Sequence, residues 1–505
     1  MWRRQGRPAF NGLAFPATYG RPRGAWAARR SGERSAHPAR RATHGLARDK
    51  NPQPLQYVKI CSLYGAGFYY VPGTDTCIKI GGWVRTYTTY GTNGNSTNGG
   101  LVDNVNNNST RNFEWRARGY ITADAREQTE YGTVRGYLDV GTNSEYQGGT
   151  SAYGGGSTFS SNRAFIQWAG FTAGVAQSFF DFYSGPATSY YGGHINPSED
   201  TGDAGAMVWA YTAQFGGGLS ATIAAEAPRT LGVWNTAVGT ILGATTTTGT
   251  AYSTSGLGGV NAPDVVANLR IDQAWGSAQI MGAAHQVRGL YYTAVDTSGA
   301  PGDKWGFAVG GGIKLNAPMI GKGDYLQAEV NYAEGATGYV QAGSNARYAR
   351  WDSDTSYGTG ALFDAIYGTG TDLQLTTAWG VNAAYEHFWN PAWRTSVYGG
   401  YQNFKQNAAG NLLVCANAGV GAAACGGNAG NWGTWNIGTR TQWNVTKNFY
   451  LGVDVVYEHL DTMFSDTAVA VGGNTAGGRP AIAAGPLADQ NVWMVNFRVH
   501  RDFYP

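Results

Sequence analysis

The sequence predicts an all-β protein: one antiparallel barrel of sixteen strands that crosses a membrane around a polar interior. Three observations predict it. Apolar and polar residues alternate with a period of two in about sixteen segments between residues 77 and 503, and no helical period competes with them. The connectors between these segments are by turns short and long. The composition is unusual, with 76 Gly, 17 Trp and 31 Tyr in 505 residues but only 14% charged residues. Glycine is thus about twice as frequent as usual and charge well below the usual quarter.

The segments can be taken in order. In CIKIGGWVRTYTTY, one face holds Ile78, Ile80, Gly82 and Val84, and the other Lys79, Trp83, Arg85 and Tyr87. FEWRARGYITADAR sets Phe113, Trp115, Ala117, Gly119, Ile121, Ala123 and Ala125 against Glu114, Arg116, Arg118, Tyr120, Thr122, Asp124 and Arg126. Val134, Leu138 and Val140 oppose Arg135, Tyr137 and Asp139. Val265, Ala267, Leu269 and Ile271 oppose Asn268, Arg270 and Asp272. Leu326, Ala328, Val330 and Tyr332 oppose Gln327, Glu329 and Asn331. Phe449, Leu451, Val453, Val455 and Tyr457 oppose Asp454 and Glu458, and Trp493, Val495, Phe497 and Val499 oppose Asn496, Arg498 and His500.

Short connectors such as AREQTEYG, QAWGS, WNPAW and NVTKNF alternate with long ones rich in Gly, Asn, Thr and Ser, at 91–110, 141–161, 184–205, 228–262, 336–375, 405–431 and 461–489. Long loops are uncommon in compact soluble domains. Their regular recurrence fits an up-and-down barrel with tight turns at one end and loops at the other.

A strand with one apolar and one charged face also suits a soluble sandwich. Two features decide for the membrane. The apolar sets lean on Gly, Ala and single aromatics, which is thin material for a packed core but sufficient against lipid. Aromatics also recur near segment ends, at Trp115, Trp168, Trp305, Trp379, Tyr332, Tyr385, Trp443, Trp493 and Phe503, as in the girdles of membrane barrels. No run of about eighteen apolar residues is present, so no transmembrane helix is expected. The facing follows from energy. Turning the 113–126 strand over would set Arg116 and Arg118 into lipid at a cost of ~4–8 kcal/mol, most of a typical folding free energy.

The formal charge of +3 divides unevenly. Residues 1–50 hold 12 Lys+Arg against 2 Asp+Glu, a net of +10, and the remainder holds 24 against 31, a net of −7. The opening segment, 1–56, has no apolar core of a signal peptide. It reads as a basic, disordered extension separate from a barrel over 57–505, the alternative being a nucleic-acid-binding arm; no nucleic-acid partner is expected.

No G-x-S-x-G or H-E-x-x-H motif is present, and the seven histidines show no ligand spacing. The expectation is no enzyme, no cofactor and no metal. The suggestive constellation is electrostatic. Lys79, Arg85, Arg116, Arg118, Arg135 and Arg163 share the lumen parity of the first four strands, and the connector after the fifth carries Glu199, Asp200 and Asp203. If that connector folds inward, acids face bases across a narrow gap, as in pores that select ions by charged constrictions. The plainer reading is a solvated wall. Four cysteines fall as two close pairs, Cys61 with Cys77 and Cys415 with Cys425. In an oxidising compartment each pair could close locally; the alternative is four unpaired thiols.

YVKICSLYGAGFYYVPGTDTCIKIGGWVR, residues 57–85, resembles the amino-terminal signature of the α-proteobacterial general porins, such as those of Brucella and rhizobia. NAPDVVANLRI at 261–271, WGS at 275–277 and the ending NFRVHRDFYP are also similar to family stretches. The resemblance implies a sixteen-stranded outer-membrane homotrimer whose third loop folds inward. It implies passive diffusion of ions and small hydrophilic solutes, with lipopolysaccharide and other outer-membrane lipids as neighbours. On that basis Glu199, Asp200 and Asp203 match the constriction loop, Arg85, Arg116, Arg118, Arg135 and Arg163 the basic wall, and Cys61 and Cys77 the family's cysteine pair. Two other readings remain: a selective channel with an aromatic solute slide at Trp83, Tyr87 and Tyr137, and an adhesive surface barrel with a plugged pore.

Overall fold

A computed structural model describes residues 59–91, 104–105, 112–146, 156–182, 187–190, 201–202, 205–239, 256–293, 295–341, 347–352, 356–472 and 481–505. Among the described residues sixteen strands form one closed ring, to which the two-residue strand Tyr69–Tyr70 adds beside the first: β1 Cys77–Gly91, β2 Phe113–Thr129, β3 Gly132–Tyr146, β4 Gly156–Trp168, β5 Phe171–Ala176, β6 Ala206–Gly216, β7 Leu219–Glu226, β8 Asp264–Gln273, β9 Gly276–Val287, β10 Lys304–Asn316, β11 Tyr325–Glu334, β12 Thr377–Asn390, β13 Trp393–Lys405, β14 Trp432–Thr446, β15 Phe449–Asp461 and β16 Gln490–Asp502. Each pairs antiparallel with its sequence neighbours, and β1 closes the ring on β16 from Trp83↔Asp502 to Gly91↔Met494. Closure leaves no sheet edge to meet lipid with unpaired backbone groups.

The expected facing holds. Ile80, Val84, Trp115, Ile121, Trp209, Ile223, Ile280, Val330, Trp493 and Phe497 are exposed on the outer surface, whereas Glu114, Thr122, Asp124, Gln279, Glu329, Asn382, Arg440, Asp454 and Asn496 are buried on the inner one. Short turns join β2 to β3, β4 to β5, and so on round the ring. The turn between β4 and β5 is Ala169-Gly170, both with positive φ, 48° and 89°. That is the primed turn a two-residue hairpin needs, and a Cβ on Gly170 would lie 2.8 Å from the Thr212 carbonyl oxygen.

The long connections have structure of their own. Val233–Asn235 pairs parallel with Ala365–Tyr367, and Val469–Val471 pairs with Ile482–Gly485. The strand Ser356–Ala361 lies along the inner ends of β14 and β15, where the Trp432 indole N–H donates to the Ala361 carbonyl at 2.9 Å and the Met463 N–H to that of Thr359 at 2.8 Å. Leu362, Phe363, Ile366, Phe404, Val414, Trp432, Met463 and Phe464 form one buried apolar cluster among these connections.

The sequence pattern shows no helix, yet Ala408–Asn417 forms one, α1. Asn407 caps it by accepting the Gly410 N–H at 2.8 Å, the usual work of asparagine at this position. Cys415, near its end, is bonded to Cys425, and Cys61 to Cys77 at the start of β1. Both local pairs are therefore closed. The expected basic extension, 1–56, lies outside the described residues.

Candidate permeation pathway

The site is built from the inner face of the barrel. Pairing of β1 with β2 sets Arg85 opposite Arg118 and Tyr87 opposite Arg116. Like charges side by side need compensation, and rings supply part of it. Trp83 stacks on Tyr120 at 4.7 Å between centroids, with the Arg85 guanidinium 4.2 Å and that of Arg118 5.4 Å from the Trp83 ring. Arg116 donates to the Tyr87 hydroxyl at 2.6 Å and to Asn143 Oδ1 at 2.7 Å. Towards the short-turn end, Asp124 accepts from Arg126 at 2.9 and 2.7 Å and from Arg135 at 3.0 Å through both oxygens, so two guanidinium groups share one carboxylate. Lys79 sits opposite Asp124 with its ammonium 5.8 Å from the Phe68 ring. Arg163, past a bulge in β4, lies opposite Asp139 and donates to the Gly202 carbonyl at 2.8 Å.

All six predicted basic residues thus lie on the inner face of β1–β4. Glu199, Asp200 and Asp203 lie outside the described residues. The aromatic slide does not survive in its simple form: Trp83 is 7% and Tyr87 3% exposed. Boxed in by guanidinium groups and neighbouring rings, they offer a passing sugar no face; Tyr137, half-buried, stacks on Phe165 at 5.2 Å under Arg135.

Sequence reading overlooked a second set of contacts, made by the connection 177–205 between β5 and β6. Its Asp181 is fully buried and holds Arg229 at 2.5 Å; it also accepts the Thr201 N–H at 2.8 Å. Phe179 donates its N–H to Glu226 of β7 at 2.8 Å and accepts from Asn268 of β8 at 2.6 Å. Further along, the Thr188 carbonyl accepts from Arg440 of β14 at 3.1 Å. The Ser189 hydroxyl donates to Asp454 of β15, and Arg498 of β16 donates to the Tyr190 carbonyl. The Tyr190 hydroxyl donates to Gln442 at 3.0 Å; burial pushes this phenol well above its ordinary range, so it acts as a neutral donor. Arg440 also donates to Glu386 at 2.6 Å, and Arg394 lies 3.6 Å from the same carboxylate. Arg394, Arg440 and Arg498 have the same inward parity as the predicted wall. The alternation already placed Arg498 inward on the last strand, and it would have found Arg394 and Arg440 had it been carried through β13 and β14.

A family model described as a porin subfamily matches residues 47–495. The chain belongs to that porin subfamily. It is 29% identical to porin Omp2b of Brucella neotomae over 351 residues, 66% of this chain and 81% of that one, and 28% identical to porin Omp2b of Brucella suis over the same coverage. In fold it is similar to the outer membrane channel DcaP of Acinetobacter baumannii, with a TM-score of 0.54 at 14% identity over 86% of this chain and 99% of that one; that likeness is one of fold alone. The porin is accordingly an outer-membrane barrel that serves as a diffusion channel and not an enzyme. The resemblance carried by residues 57–85 pointed to the right family.

Proposed function

We propose that this porin passes ions and small hydrophilic solutes through a lumen narrowed by its third long connection, 177–205, folded against the inner wall. The observation that carries the reading is the set of bonds just described. Residues at the start, middle and end of that connection bond side chains on the inner faces of β4, β7–β8 and β14–β16, on different sides of the ring. On this reading Glu199, Asp200 and Asp203 supply an acidic side to the narrowing. Lys79, Arg85, Arg116, Arg118, Arg135 and Arg163 supply the basic side, and the opposed rows set a field across the pore. The channel comprises residues 57–505 and works as a homotrimer among outer-membrane lipids, lipopolysaccharide included, while the basic segment 1–56 takes no part.

The test is single-channel recording in a planar bilayer with a salt gradient. Large steps grouped in threes with mild cation preference are expected. Neutralising Glu199, Asp200 and Asp203 together should move the reversal potential toward anions; an unchanged potential sinks the acidic constriction. A second reading, a barrel closed by its own loops, draws on the buried apolar cluster around Phe363, Trp432 and Phe464. A folded barrel without conductance would favour it.

A further inference from the structure

At the long-connection end of β15 and β16, side chains from two chain segments meet on the outer side of the barrel. Alternation places Tyr457, His459 and Asp461 outward on β15, and pairing sets His459 between Trp435 of β14 and Asn491 of β16. Asp461 lies opposite Gly433, which has no side chain to crowd it. Asp489, just before β16, comes back to the same spot from the far end of the connection that follows β15.

The imidazole is held on three sides. It stacks on Trp435 at 5.3 Å between centroids. Its Nδ1 is 2.6 Å from Asn491 Oδ1, an oxygen that also accepts from the Tyr457 hydroxyl at 2.5 Å. That bond holds the ring through Nδ1 and leaves Nε2 for other partners. Nε2 is then turned toward two carboxylates, 3.2 Å from Asp461 Oδ1 and 3.9 Å from Asp489 Oδ2. The other side of Asp489 is fixed, with Oδ1 accepting the Thr462 N–H at 2.9 Å.

This arrangement suits a cation: one imidazole nitrogen and two carboxylate oxygens from two chain segments converge on one point. One imidazole nitrogen and two carboxylate oxygens make a donor set that zinc accepts. A ring whose other N–H is held by an amide oxygen has the usual support of a metal-bound histidine. The distances also suit. Zinc bonds of ~2.0–2.2 Å place tetrahedral donors about 3.3–3.6 Å apart. The three donor atoms here already lie within 4.8 Å of one another, and the Asp461 and Asp489 side chains, 44% and 51% exposed, are free to close the remainder.

We propose that His459, Asp461 and Asp489 bind a divalent transition-metal cation of the zinc type on the outer rim of the porin. The site ties the last residue of the 462–489 connection to the end of β15, so the ion clamps the far end of that connection where β15 pairs with β16. Sequence spacing shows only half of it: 459 and 461 share a strand face, and Asp489 joins them only through the pairing of β15 with β16.

The experiment is calorimetric titration of the full-length porin in detergent micelles with zinc alone at neutral pH, and with cobalt(II) to read geometry from its visible absorption. The wild type should bind one saturable equivalent that His459→Ala lacks, together with the tetrahedral cobalt bands. Asn491→Ala, which removes only the support of the ring, should weaken binding by about 10–100-fold. Heat-modified mobility on gels should show all three proteins folded. Identical titrations of the wild type and His459→Ala, or no saturable binding by the wild type, would overturn the proposal and leave the cluster as a set of ordinary surface hydrogen bonds.

Discussion

Asp181 offers the sharpest perturbation of the third connection. Its carboxylate is fully buried and is the charged partner of Arg229, whose side chain is itself only 8% exposed. Around Arg229 are otherwise the rings of Tyr339 and Phe180, at 4.6 and 5.7 Å. Burial alone would pull the Arg229 pKa down; Asp181, with Tyr339 and Glu226 behind it, outweighs burial and holds it above the usual guanidinium range. Asp181→Ala therefore strands a buried cation, at a cost of about 3–5 kcal/mol, and also removes the acceptor of the Thr201 N–H. A closed barrel need not unfold to escape that cost. The connection can open by itself, because local opening takes less free energy than global unfolding. Amide exchange of residues 178–182 and 201–202 should accelerate at least about a hundredfold, since 1.4 kcal/mol corresponds to a factor of ten. The open-channel current should become noisier, with the barrel's unfolding midpoint in urea unchanged. Asp181→Asn, which keeps the shape and one acceptor, should show a smaller effect. Unchanged exchange and current in Asp181→Ala would refute the reasoning that this ion pair fixes the connection.

Further expectations test other parts. Ile121→Arg, on the outer face of β2, should cost about 2–4 kcal/mol in vesicles. Gln214→Arg, on the inner face of β6, should change stability by less than about 1 kcal/mol; equal costs would overturn the facing. In the turn after β10, burial raises the Asp324 pKa, but the Phe388 N–H at 2.9 Å, the Tyr385 hydroxyl at 2.6 Å and His387 at 2.7 Å outweigh it, so the folded value is depressed. A depressed carboxyl contributes stability that is present above its unfolded pKa and lost as pH falls through the folded one. Acid titration followed by amide exchange should thus loosen this turn below the ordinary carboxylate range, and Asp324→Asn should flatten that dependence. Reducing Cys415–Cys425, ten residues apart, should remove about 3 kcal/mol of loop constraint and speed exchange in α1 while leaving the barrel strands protected.

What could be read in the sequence and what could not divide along one physical line. Lipid imposes a rule on every strand separately: Ile121 and Arg118 cannot exchange faces without a cost near 2–4 kcal/mol, so each segment records its facing in its own residues. That made the ring of strands, the outward Trp115 and Trp493 and the inward Arg116 and Arg135 legible one stretch at a time. The lumen imposes no such local rule. Ser189 finds Asp454 265 residues away, and Arg498 finds the Tyr190 carbonyl across 308; only closure of the barrel brings either pair together. Asp181 lay hidden in the run SFFDFYSG, where its neighbours suggest an apolar stretch and nothing names Arg229 as its partner. Trp83 and Tyr87 carried a true signal, inward parity, but parity does not say what lies on top of a ring: Arg85 of the same strand and Arg118 of the paired one lie over Trp83, and Arg116 of the paired strand holds Tyr87. Helix α1 escaped because it is short and its apolar residues run together as Leu412-Leu413-Val414-Cys415 instead of at helical spacing; the Asn407 cap, the disulfide and the burial of Val414 in the apolar cluster hold it. In such a barrel the wall is encoded locally by its solvent, whereas the interior is encoded by contacts that exist only once the wall has closed. Substitutions on the outer face should therefore act independently of one another, and substitutions among Asp181, Arg229, Asp454 and Arg498 should couple through the connection they share.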